Sequence, residues 1–166
     1  FTLYTFIMLG LISVHKFLLP MVSSSKISEF NNIIAPLKKA RILIIFIFLV
    51  GLFSSEHFFN LIYGQNKFSD SYIIFNILAL SAILSFEYSP YSNLLVKTGY
   101  FKFQLKLFCI GFIILVILNY SIIPSFGAIG VAINNLLVYF GINFSMYIKA
   151  KKIINDDIQQ TTTTKN

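Results

Sequence analysis

The stretch LKLFCIGFIILVILNYSIIPSFGAIGVAINNLLVYFGINFSMYI (Leu105–Ile148) carries one charged residue, Lys106, near its start. Pro124-Ser125 divides it into two apolar runs, Leu105–Ile123 and Phe126–Ile148. Each is close to the roughly 20 apolar residues that cross a bilayer as a helix. A link that short forces the two helices to be antiparallel neighbours.

Three more runs of the same kind lie upstream, at about residues 1–22, 42–62 and 72–95. One such run is compatible with the core helix of a soluble domain; five in succession are not. The expected fold is therefore all-α, a polytopic transmembrane helix bundle of about five spans over residues 1–152. A disordered cytoplasmic tail is expected at 153–166, where the sequence turns polar and ends in threonines. Composition agrees. Of 166 residues, 57% are hydrophobic, 17% aromatic and only 11% charged, against about 25% charged in soluble domains, and the mean hydropathy is +0.79. The chain begins at Phe1, inside an apolar run with no basic flank or small-residue cleavage site, which reads as a segment of a longer protein rather than a signal peptide. A lone cysteine, Cys109, excludes an internal disulfide framework and a multi-cysteine metal site.

The net charge of +7 would by itself raise nucleic acid as a partner. Its placement argues otherwise. Eleven of the 13 basic residues fall in the connection after the first span (Lys26, Lys38, Lys39, Arg41), around the connection after the third (Lys97, Lys102, Lys106) and in the tail (Lys149, Lys151, Lys152, Lys165). The intervening connections hold Lys67 and nothing else. Basic residues favour the cytoplasmic side, so these three connections, C-terminus included, are expected in the cytoplasm, and no nucleic-acid groove is needed to explain the charge. Between Ser23 and Arg41, Ile27, Phe30, Ile33, Ile34 and Leu37 recur at helical spacing, predicting a short amphipathic surface helix interrupted near Pro36.

No catalytic or metal motif is present: no phosphate loop, no G-x-S-x-G, no H-E-x-x-H. An enzyme is not expected, and no cofactor or metal is implied. His15 and His57 lack ligand partners, and Cys109 reads as a packing residue. Charges within apolar spans are the functional candidates, because burying them in lipid is costly. Lys16 lies about 9 Å from the end of its span; it either snorkels to the surface or faces a cavity. Glu56 and His57 sit near the other end of the second span, at the interface or just inside it. Glu87 lies about 22 Å into the third span, in a transport or a structural role. Polar stripes run along the third span (Ser81, Ser85, Tyr88 or Ser89, Ser92, then Pro90 as a break) and the fifth (Asn135, Tyr139, Asn143, Tyr147). They serve either hydrogen-bonded helix packing or a watery lumen. Gly127, Ala128, Gly130 and Ala132 allow close helix approach at the start of the fifth span.

Ile117–Phe140 (ILNYSIIPSFGAIGVAINNLLVYF) resembles the polysaccharide-export flippases of the large exporter superfamily that also contains multidrug/toxin extruders. The likeness rests on Asn119, then Ile123-Pro124-Ser125-Phe126-Gly127-Ala128-Ile129-Gly130, then Ala132. IYGQNKF (Ile62–Phe68), NILALSAIL (Asn76–Leu84) with PYSNLLVKTGYFK (Pro90–Lys102), and FLLPMVSSS (Phe17–Ser25) follow the same family order. The resemblance implies the last five helices of the six-helix C-terminal lobe of a two-lobe transporter in a bacterial inner membrane, flipping undecaprenyl-pyrophosphate-linked oligosaccharide by alternating access for O-antigen and lipopolysaccharide biosynthesis. Its implied partners are that lipid-linked substrate, membrane lipids and the missing N-terminal lobe. Lys16 is then the one cavity cation for the anionic head. Lys16, Asn76, Glu87, Asn135 and Tyr139 are the expected substrate-binding residues, chosen for their polarity within the spans. Two alternatives remain: a cation-coupled extruder of the same fold, and a membrane-embedded transferase of the polysaccharide pathway.

Overall fold

The computed structural model describes residues 13, 16–63 and 71–163. The rest of the first predicted span with His15, the connection holding Gly64, Lys67 and Asp70, and Lys165 lie outside the described residues. So do the side chains of Leu37, Lys38 and Arg41. Among the described residues there is no strand: residues 16–24 (α1) are helical, a 3-10 turn at Ile27–Glu29 leads into α2 (Phe30–Tyr63), and α3 (Ser71–Lys97) and α4 (Phe101–Thr163) follow.

α4 is two helices across a break. At Gly127 the backbone turns to φ 53°, ψ −139°, on the left-handed side that side chains with a Cβ resist. The two arms, 101–126 and 128–163, then fold back on each other. Asn134 Nδ2 donates to Asn119 Oδ1 at 3.0 Å, and the two residues are nearly equidistant in sequence from Gly127. Gly111 and Ile142 are likewise equidistant and in contact: a Cβ added to Gly111 would lie 3.1 Å from Ile142 Cγ1 and 3.3 Å from Val138 Cγ1. At the turn, Gly130 is buried and a Cβ there would meet Ile122 Cγ2 at 2.5 Å. The reversal was expected at Pro124-Ser125. It falls at Gly127, because Pro124 is compatible with the end of a helix whereas the change of direction needs a positive φ.

The α3–α4 turn is built the same way. Gly99 has φ 81°; its N–H donates to Val96 O at 3.1 Å and that of Tyr100 to Leu95 O at 2.9 Å. These two bonds form the Schellman ending, which satisfies otherwise orphaned helix carbonyls. Gln104 Nε2 then donates back to Ser92 O (2.7 Å) and Ser92 Oγ (3.1 Å), so α3 and the first arm are antiparallel. Ser85–Asn143, Tyr88–Tyr147 and Tyr91–Tyr147 pair in ascending order, so α3 and the second arm are parallel. α2 opposes α3: Phe59 meets Phe75 near one end, Phe30 meets Tyr91 at the other.

The core gathers at the end of the molecule where α1 and α3 finish and α2 and α4 begin. Val22, Phe30, Ile34, Leu94, Leu95, Ile142, Met146, Ala150 and Ile154 form one buried cluster. Its second-arm members are spaced by four, one stripe of a helix. This stripe explains a correction. The tail from 153, expected to be disordered, is helical to Thr163, because Ile154 (6% exposed) extends the buried stripe past the point where the sequence turns polar. A second correction concerns the Ser23–Arg41 connection. No short surface helix breaks off at Pro36; α2 runs through it from Phe30, so the span expected at 42–62 is the later part of a longer helix. An interior proline costs about 3 kcal/mol. Burying Phe30 and Ile34 at about 1.5–3 kcal/mol each offsets that.

Two helices, Ser71–Lys97 and the folded-back Phe101–Gln159, are long and apolar enough to cross a membrane. Soluble proteins also contain such helices, but as core. Here the most apolar stretch of the second is only 6% buried, with Phe112, Ile113, Ile117 and Phe126 among its exposed side chains. An open apolar surface of this kind marks a non-aqueous neighbour, and the pair points to membrane association.

Candidate functional site

The expected site residues are distributed over three helices. Lys16 is exposed on α1. Asn76, near the start of α3, donates from Nδ2 to Ser55 Oγ of α2 at 3.1 Å. Glu87 is half-buried in mid-α3. At 100° per residue, Asn76, Glu87 and Tyr91 share one face of α3. The ends of that face touch α2, through Ser55 and through Phe30, which puts Glu87 on the same face of α3 as these two contacts with α2. Asn135 is half-buried and Tyr139 exposed on the second arm.

The two polar stripes meet. Asn143 Nδ2 donates to Ser85 Oγ at 3.4 Å, and the Tyr147 ring stands edge-on to Tyr91 at 4.9 Å and to Tyr88 at 5.8 Å. Their lower halves thus act as helix–helix contacts, while Asn135 and Tyr139 continue the stripe on a more open surface. Ser81 turns inward and donates to Leu78 O of its own helix at 2.7 Å.

Two arrangements were not foreseen as sites. At the end of α1, Lys97 Nζ donates to Val22 O at 2.9 Å and to Ser25 O. Ser23, Ser24 and Ser25 hydroxyls donate to Leu19 O, Pro20 O and Val22 O. The last carbonyls of α1 are therefore covered by three hydroxyls and a cation, which the helix dipole favours at that terminus. In sequence Lys97 was one of a set of topological lysines, and the run of three serines after Pro20 was the only hint of an ending that needs donors. The Asn119–Asn134 bond was also legible in principle, since both residues are equally far from the turn. Asn93, 4% exposed, keeps its Nδ2 without a partner among the described residues, a cost of about 1–3 kcal/mol.

Basic side chains collect at the core-bearing end. Lys26, Lys97, Lys102, Lys106, Lys149, Lys151 and Lys152 flank the α1–α2 and α3–α4 turns and the adjoining part of the second arm. Lys149 Nζ lies 4.4 Å above the Tyr100 ring and Lys151 Nζ 5.9 Å from that of Tyr147, cation–π contacts worth about 0.5–1 kcal/mol when exposed.

This geometry defines a helical, membrane-associating chain with alternating helix directions and one basic end. No protein-family model matches the chain, and neither a curated protein nor a solved structure does.

Proposed function

We propose that this chain is the larger part of the C-terminal lobe, its last five helices, of a bacterial inner-membrane transporter that flips lipid-linked oligosaccharide by alternating access, without enzymatic chemistry of its own. Five spans cross the bilayer, and the basic end faces the cytoplasm. The observation that carries the reading is the Ile123–Gly130 motif. The segment that resembles the exporters is the segment where the helix reverses, with Gly127 at positive φ and Gly130 packed against Ile122. The residue types of the motif thus have a physical use here. The directions of α2, α3 and the two arms fit a bundle whose basic connections share one side.

In this reading Lys16, Asn76, Glu87, Asn135 and Tyr139 line the lobe's cavity, with Lys16 meeting the pyrophosphate. The test is Lys16→Ala with Glu87→Gln in the complete transporter, scored by surface polysaccharide at normal membrane abundance. Loss of export is expected; undiminished export removes the site assignment. A half-buried carboxylate in mid-helix also suits a proton- or sodium-coupled extruder. Drug sensitivity with intact polysaccharide after gene deletion would select that function. A transferase of the same pathway would instead show turnover of a lipid-linked sugar by the purified protein.

A further inference from the structure

The first arm of α4 packs with one side, through Gln104, Gly111 and Asn119. Its opposite side holds Lys102 and Lys106 one turn apart, then Cys109, Ile113 and Val116, all exposed. At 100° per residue these five fall within a narrow stripe. Neither lysine has an ion-pair partner among the described residues. Lys106 and Val116 are about 15 Å apart along the axis, half the roughly 30 Å hydrocarbon thickness of a bilayer and so the depth of one leaflet. Two ammonium groups at the end of an apolar track one leaflet long match one kind of molecule: an anionic head attached to an acyl chain.

We propose that this stripe binds an anionic phospholipid, its phosphate on Lys102 and Lys106 and its acyl chain along Cys109, Ile113 and Val116. Charge complementarity and chain length both select a lipid over a free phosphate, which would leave the apolar track uncovered. The inference rests on the membrane placement proposed above and not on flipping.

Cys109 lies on the track and is the chain's sole cysteine, so a bimane fluorophore there reports the local lipid. The chain is reconstituted in phosphatidylcholine vesicles containing a minor fraction of brominated phosphatidylglycerol or brominated phosphatidylcholine. Co-flotation with the vesicles reports membrane placement separately. Bimane quenching is expected to favour the anionic lipid by about five-fold or more, given the attraction of each lysine for an anionic surface. Lys102→Gln with Lys106→Gln should abolish the preference, while Lys151→Gln with Lys152→Gln, an equal loss of charge at the same end, should leave it. Equal quenching by both lipids would overturn the proposal, as would a preference that survives the first pair or disappears with the second. Absence of quenching in floated protein would show the stripe covered by protein and overturn it too.

Discussion

At the scale of single residues, Lys97 shows how a side chain placed by one helix finishes another. Its ammonium reaches carbonyls of Val22 and Ser25 from the last turn of α3. Replacing it by methionine keeps the stem and removes the donors. Hydrogen bonds to charged groups contribute about 1.5–3 kcal/mol, so amide exchange of residues 21–25 is expected to accelerate roughly ten-fold or more in Lys97→Met. Lys97→Arg should largely restore protection. Unchanged exchange in the methionine variant would mean that the three serines suffice. The bond was not legible in the sequence. A lysine after an apolar run reads as a topology signal whatever it touches, and its acceptors lie more than 70 residues away.

At the scale of elements, the α4 hairpin owes its closeness to glycines. Gly111→Leu should push the arms apart, because Ile142 and Val138 already occupy the space of a Cβ. Overpacking of this kind costs about 1–3 kcal/mol, to be measured by reversible unfolding in detergent micelles. Gly51→Ala, in α2 with nothing within 4 Å of a Cβ at that position, is the comparison without overpacking and should be stabilising by about 0.5–1 kcal/mol. Across the same hairpin, a double-mutant cycle with Asn119→Ala and Asn134→Ala should give a coupling of about 0.6 kcal/mol, the average for such bonds between membrane helices, and at most about 1.7 kcal/mol. A coupling near zero would show that each amide finds other partners. The apolar runs predicted the elements well where packing and hydropathy agree: 72–95 became Ser71–Lys97. They failed where packing overrode local signals. Pro36 stayed in a helix anchored by Phe30 and Ile34, and Ile154 carried α4 beyond its polar boundary.

At the scale of the whole molecule, helices successive in the chain alternate in direction and the basic residues cluster at one end. The orientation proposed for that end is checked with a Cys109→Ser background bearing either Thr98→Cys in the α3–α4 turn or Ser125→Cys beside the Gly127 reversal. In intact spheroplasts a membrane-impermeant maleimide should label Ser125→Cys and reach Thr98→Cys only after permeabilisation. The reverse pattern would invert the topology. Hydropathy, charge placement and the glycine positions were enough to determine a helical, apolar chain with a hairpin near residue 125, because these are local quantities that each segment carries by itself. The tertiary structure alone decided that the two polar stripes partly bury each other, that Glu87 shares a face of α3 with two contacts to α2, and that Lys102 and Lys106 head an open apolar track. Which face of a helix is covered depends on the neighbour that covers it, and the neighbours are chosen by packing between segments far apart in the chain.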